Sequence, residues 1–292
     1  MIGQSPPLKD NPAAGKIGFD NLIRQIEDLP SLPAVVMDVL NSIDDENIDI
    51  DVLARKVTLD QALTAKTLRL ANSSFYSSVA RVTTLQQAIT VLGIKAVRNL
   101  VTVAAMTGCF PRGQNRFFDF KGFWRHAIAT AICADVLASL RHVDQEHAFT
   151  AGLLHDIGRL ALVTRFPEQY QEVLAYRAAH DCHLLTAEQD IMGIDHAAAG
   201  RMLGQHWRFS DTLQQTIGSH HDPDAHPGDT LTAIVHVADA ITHGLDLSDS
   251  ADDLAPPLSR HAWDKLAMDE ATCAAVFSLT IARFEGINRL LT

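Results

Sequence analysis

Ala151-Gly152-Leu153-Leu154-His155-Asp156-Ile157-Gly158-Arg159-Leu160-Ala161-Leu162 sets an imidazole and a carboxylate side by side in a segment that is otherwise nearly apolar. A buried pair of this kind needs partners, because an unpaired charge is expensive to remove from water. On a helix, neighbouring side chains point about 100° apart, so the two can flank one ion while Asp156 keeps an oxygen for a second. A buried hydrogen bond between His155 and Asp156 is the competing reading of the pair taken alone.

Outward from this segment, all fourteen histidines lie at or beyond His126. His126 follows Phe123-Trp124-Arg125 on an apolar helix, and His196 opens a helix behind Asp195 among small residues. His220-His221 close a helix that Ser210 or Asp211 can cap and that Asp222-Pro223 terminates. Asp239 sits inside Ile234-Val235-His236-Val237-Ala238-Asp239-Ala240-Ile241. Each position has a plainer reading. His126 reads as a core-edge histidine, His196 as a first-turn surface residue, and His220-His221 as imidazoles favoured by a helix C-terminus. His236, Asp239 and His243 share a face by spacing of three and four, which suits a local network. Together, His126, His155, Asp156, His196, His220, His221 and Asp239 supply imidazoles and carboxylates without thiolates. That chemistry suits one or two divalent ions such as iron, manganese or zinc. Two ions sharing Asp156 would activate water for attack on a phosphoester.

Composition limits the partners. The chain of 292 residues is 47% hydrophobic, enough for one large or two ordinary domains, and carries a net charge of −11. Bulk acidity argues against duplex nucleic acid and anionic membrane. Residues 1–110 hold 10 basic and 11 acidic side chains, leaving 14 and 24 for the remainder. The acidic half is therefore also the histidine half, which favours cations. Cys109, Cys133, Cys182 and Cys273 show no Cys-x-x-Cys spacing, so reduced thiols are expected. No secretory signal or membrane-spanning run is evident, and a cytoplasmic location is expected.

Apolar spacing predicts an all-α fold in two helical subdomains. Residues 1–18, rich in Pro and Gly, read as a flexible leader. Residues 19–110 read as a helical bundle, with Asp49, Asp60 and Thr83 or Thr84 as N-caps, a break at Asn72-Ser73-Ser74, and Gly93 closing a helix. Pro111-Arg112-Gly113-Gln114-Asn115 marks the boundary to a second domain at 111–292. Its helices are expected near 119–140, 145–164, 167–180, 184–192, 195–206, 210–221, 230–244 and 269–291, with an acidic loop at 247–257.

With these residues placed, the sequence resembles the HD superfamily through Leu154-His155-Asp156-Ile157-Gly158-Arg159. More specifically it resembles the HDOD family of bacterial signalling domains. Leu29-Pro30-Ser31-Leu32-Pro33, Leu68-Arg69-Leu70-Ala71-Asn72-Ser73, Ala88-Ile89-Thr90-Val91-Leu92-Gly93 and Phe123-Trp124-Arg125-His126 carry the resemblance, with Gly152-Leu153-Leu154-His155-Asp156-Ile157-Gly158. It implies a helical fold in which His126, His155, Asp156 and Asp239 match metal ligands of the superfamily. His196, His220 and His221 match extra ligands of two-metal members such as the HD-GYP phosphodiesterases, which cleave cyclic di-GMP.

The chain departs from those enzymes at three places. Asp222-Pro223-Asp224-Ala225-His226-Pro227-Gly228 lacks Gly-Tyr-Pro, Gly122 stands where an acidic ligand is frequent, and Arg159 replaces a lysine. The resemblance implies a regulatory module with a signalling protein or nucleotide ligand as partner and no established reaction. The alternative is a metal-dependent phosphohydrolase acting on a nucleotide or cyclic dinucleotide, with Arg159 contacting the phosphate. Helices near 50–57 and 61–71 mimic a helix-turn-helix, but the near-zero charge of the first half does not suit DNA.

Overall fold

The computed structural model describes residues 32–42, 50–72, 82–109, 117–249 and 254–288, with positions 21, 24–26, 28 and 29. Among these residues the elements are helices and no strand occurs, as the apolar spacing predicts. The expected leader, the Asp49 cap, Ser73-Ser74 and the 111–115 boundary lie outside the described residues.

The first part comprises α1 (Ala34–Asn41), α2 (Ile50–Leu59), α3 (Gln61–Ala71), α4 (Leu85–Leu92) and α5 (Ile94–Cys109). Asp60 caps α3 by accepting from Leu63 N at 2.9 Å, and Thr84 caps α4 by accepting from Gln87 N at 3.1 Å. Gly93 ends α4 at φ +83°, a conformation that costs glycine little. Asn72 ends α3 and fastens it to the segment before α4. Its amide donates to Leu68 O and Val82 O and accepts from Val82 N.

The second part comprises α6 (Phe120–Arg141), α7 (Gln145–Leu154), α8 (Ile157–Arg165), α9 (Pro167–His180), α10 (Leu184–Met192), α11 (His196–His206) and α12 (Asp211–Ser219). It continues through α13 (Thr230–Gly244), α14 (Arg260–Lys265) and α15 (Glu270–Asn288). Two expectations need correction. The helix expected over 145–164 is divided at His155-Asp156, where Asp156 has φ −96° and ψ 10° and makes no capping bond. Both side chains there face other helices, and a continuous helix would have pointed them 100° apart. The helix expected to reach His221 stops at Ser219, and Ser210 precedes it without a side-chain cap bond. The short α14, capped by Ser259, was not anticipated.

Helix α6 is buried on nearly every side, as its apolar circumference requires. It packs against α7, α13 and α15. Glycine permits the closest approaches. A Cβ on Gly152 would lie 2.9 Å from Ala131 Cα on α6, and one on Gly158 would collide with the carbonyl oxygen of His196. One continuous core runs from Ile26 to Phe284, so α1–α5 share it with the later helices. Each fully buried Leu or Ile within it is worth about 1.5–3 kcal/mol. The buried Arg98–Glu146 pair, at 2.6 Å, adds a polar link from α5 to α7. Cys133, Cys182 and Cys273 are free thiols, and burial pushes Cys133 up to about 12, which leaves it an inert packing residue. No helix among the described residues is long and apolar enough to cross a membrane.

Candidate metal centre

Because α7 ends at Leu154 and α8 begins at Ile157, the junction turns both His155 and Asp156 inward. Helix α6 brings His126 to them, α11 brings its first residue His196, and the turn after α12 brings His220 and His221. Asp239 and His243 come from α13. All seven expected residues meet here, and His243 joins them.

The donors form neighbouring groups. In one, His126 Nε2 lies 3.0 Å from Asp239 Oδ1 and 3.2 Å from His155 Nε2, and His243 Nε2 is 3.2 Å from the same Asp239 oxygen. In the other, Asp156 Oδ1 lies 3.1 Å from His196 Nε2 and 3.6 Å from His220 Nε2, while His196 and His221 approach to 2.9 Å between Nε2 atoms. Asp156 also belongs with His126 and His155, so it stands between the groups. Donors about 2.0–2.2 Å from one ion stand roughly 3 Å apart, which is the spacing found here.

Hydrogen bonds on the far side of the rings fix their direction. Nδ1 of His155 donates to Gly152 O at 2.7 Å, Nδ1 of His220 to Ile217 O at 2.7 Å, and Nδ1 of His196 to Glu188 Oε2 at 2.6 Å. With that proton committed, each neutral ring presents the Nε2 lone pair inward. His220 Nε2 is buried without a hydrogen-bond partner, and the buried Asp239 oxygens make no well-aligned bond although His126 and His243 Nε2 stand 3.0 and 3.2 Å from Oδ1. Buried acceptors left in this way are costly, and a cation within each donor group would satisfy them. The residues present therefore fit a divalent metal of the nitrogen- and oxygen-preferring type.

Electrostatics agree with that fit. Burial, reinforced by His243, pushes His126 down to about 4. Burial also lowers His220, and with His220 and His196 nearby it holds His221 well below the usual range. Burial opposes charge on Asp156, but His155, His196 and Arg159 outweigh it and hold the carboxyl well below its ordinary value. Asp239 is held down likewise by His243, His126 and His155 against its burial. Against burial, Asp156 and Asp239 raise His155, and Glu188 and Asp156 raise His196 well above. The cluster thus attracts positive charge, supplied by protons when no metal is bound.

Sequence reasoning missed two residues here. Glu188 on α10 and Tyr170 on α9 are fully buried behind His196 and Arg159. Their positions look like ordinary helix positions in sequence, and only the fold brings them to the cluster. His243 was legible only as a neighbour of Asp239 at i+4. His236, grouped with them by spacing, turns away: its Nδ1 donates to His220 O at 2.7 Å, and its Nε2 accepts from Ser259 N at 2.8 Å.

The donors open into a cavity of about 590 Å³, within the range of small-ligand sites. Arg159 lines it, with Nη1 donating to Asp156 Oδ2 at 2.9 Å and its guanidinium 5.7 and 5.6 Å from the ring centres of Phe118 and Phe123. Leu254, Pro256 and Pro257, from the described part of the expected acidic loop, line the same cavity.

The fold and site define an all-helical HD-type protein. The HDOD domain family model matches residues 29–223, and the chain belongs to that family. Asp239 and His243 lie beyond the matched residues. An uncharacterized protein of Treponema pallidum (strain Nichols) is 24% identical over 201 residues, covering 68% of this chain and 38% of that protein. The chain therefore matches well under half of that relative's length. An HDOD domain protein of unknown function from Geobacter sulfurreducens superposes with a TM-score of 0.74 at 23% identity, covering 92% of this chain and 91% of the other. A Shewanella amazonensis SB2B protein described as a "putative phosphohydrolase" gives 0.67 at 26% identity, over 89% and 97%.

Proposed function

We propose that this chain is a signalling module of the HDOD family that binds a phosphate ester over a divalent metal centre. One observation carries the reading. Imidazole and carboxylate donors converge at an open cavity of nucleotide size, with the His155, His196 and His220 rings held from behind. His126, His155, Asp156, His196, His220, His221 and Asp239 would hold one or two ions of iron, manganese or zinc, with His243 beside Asp239. A bound metal supplies Lewis acidity toward a phosphoryl oxygen and a nucleophile from water at neutral pH.

The chain's own groups do the rest. Asp156 and Asp239 bring the negative charge that draws a cation into a buried site. The Nδ1–H bonds of His155, His196 and His220 hold the rings in place, so little reorganisation accompanies binding. Arg159 sets a guanidinium on the cavity wall for a phosphate oxygen, and Phe118 and Phe123 hold it there and exclude water. The ligand suited to this chemistry is a nucleotide or related phosphoester, and the proposed partner, a signalling protein, rests on the resemblance to signalling domains.

A second reading, cleavage of the phosphoester, is favoured by the direct opening of the cavity onto the donors. Purified protein loaded with manganese or iron, assayed on phosphodiesters and nucleotides beside His155→Ala and Asp156→Ala, separates the readings. Metal-dependent turnover lost in both variants establishes the hydrolase. Metal-dependent ligand binding without turnover leaves the module as a sensor. Protein that takes up no metal overturns both.

A further inference from the structure

Glu188 is a carboxylate with no exposed surface on the short helix α10, and Tyr170 on α9 is equally buried. A charge so placed is retained only with strong partners. Those partners belong to the metal centre. Glu188 Oε2 accepts from His196 Nδ1 at 2.6 Å and from His196 N at 2.8 Å. Glu188 Oε1 accepts from the Tyr170 hydroxyl at 3.1 Å. The Arg159 guanidinium lies beside the Tyr170 oxygen. Arg159 reaches Asp156 Oδ2 at 2.9 Å, and Asp156 Oδ1 lies 3.1 Å from His196 Nε2. The five side chains close a ring: Asp156, Arg159, Tyr170, Glu188, His196, and back to Asp156.

Apart from the i,i+3 pair of Asp156 and Arg159, the links of this ring join residues far apart in sequence or on different helices. The ring joins α8, α9, α10 and α11 around one face of the donor set, and its two ends are the group that must hold the ion. A short charge-assisted bond from Nδ1–H to a carboxylate fixes the tautomer and makes Nε2 a stronger donor. The second bond, from His196 N, pins the first turn of α11 so that the ring cannot swing away. Tyr170 passes the orientation of Glu188 to Arg159, which presents its guanidinium to the cavity.

We infer that Glu188 is a positioning residue for the metal centre, holding His196 as an Nε2 donor and, through Tyr170, holding Arg159 at the cavity wall. The inference rests on the metal-binding reading above. It adds a residue that touches neither metal nor ligand and yet sets the affinity of one and the contact of the other.

The test uses the full chain, stripped of metal and titrated with Co²⁺ while its visible absorption is followed. Circular dichroism confirms the fold of each variant. Glu188→Gln should lower cobalt affinity by about 10- to 100-fold and alter the absorption bands. Tyr170→Phe should keep the bands, because the Glu188–His196 bond remains. Folded Glu188→Gln protein with wild-type affinity and bands would overturn the inference. Nitrogen-15 spectra of the metal-free wild-type imidazoles give a second readout that requires no variant of Glu188 to fold. His196, assigned with His196→Gln, should carry its proton on Nδ1 in a strongly downfield resonance. A bare Nδ1 would overturn the inference as well. Wild-type protein that takes up no cobalt yet shows the Nδ1 proton would instead overturn the metal reading and leave the Glu188–His196 pairing in place.

Discussion

The Nε2 atoms of His196 and His221 lie 2.9 Å apart, and His196 has already committed its Nδ1 proton to Glu188. A neutral His196 therefore points a lone pair at its neighbour and at Asp156 Oδ1. Something positive belongs between them, a proton in the bare protein and a metal ion in the loaded one.

Metal binding should accordingly stabilise the fold. A ligand held only by the native state contributes about 2.7 kcal/mol at a hundredfold excess over Kd. Differential scanning fluorimetry of stripped protein should show its Tm rise with added Mn²⁺ or Zn²⁺ and return after chelation. A Tm indifferent to both would contradict this.

Acid should weaken the stripped protein partly through His126. The folded value is about 4, below the ordinary imidazole value near 6.5. The unfolded chain therefore binds a proton that the native state refuses, and stability falls as pH drops from about 6.5 toward 4. For one group the loss approaches roughly 3 kcal/mol. His126→Gln should show a shallower decline across that window in urea denaturation at stepped pH, and parallel curves would refute the assignment. Asp156 and Asp239 act lower. Their depressed values supply stability above about pH 4 that is lost as pH falls through the folded values.

Gly158 is the point where α8 meets α11. A methyl group there would collide with His196 O and come within 2.5 Å of Gly200 N. Both obstacles are backbone, so Gly158→Ala should push His196 away from Asp156. It should cost about 1–3 kcal/mol or more and weaken metal uptake together. Chemical denaturation and metal analysis would show whether the two losses coincide.

His236 carries a similar load for His220. Replacing it with Phe leaves His220 O and Ser259 N without their bonds. A loss of about 1–3 kcal/mol follows for the buried His220 carbonyl, with weaker metal binding because the His220 turn is no longer fixed. Wild-type metal affinity in folded His236→Phe protein would show that this brace does not reach the donors.

Much of this was legible in the sequence because helices announce themselves locally. The expected bounds of α10 and α13 agree with the structure, and Asp60, Thr84 and Gly93 serve as read. The seven polar positions stood out because imidazoles and carboxylates in apolar helices demand an explanation. The break at His155-Asp156 was hidden, since the apolar pattern runs through it and only the pull of other helices turns the pair inward. Glu188 and Tyr170 were hidden for a related reason. Their partners lie 8 and 18 residues away across loops, and spacing on one helix says nothing of such contacts.

Isothermal titration of stripped protein with Mn²⁺, beside Asp156→Asn, tests the central claim most directly. Asp156 stands between the two donor groups, so the account predicts uptake of one or two equivalents by the wild type and a loss of binding in the folded variant. Wild-type protein that binds no ion, or a variant that binds as well as wild type, would contradict it.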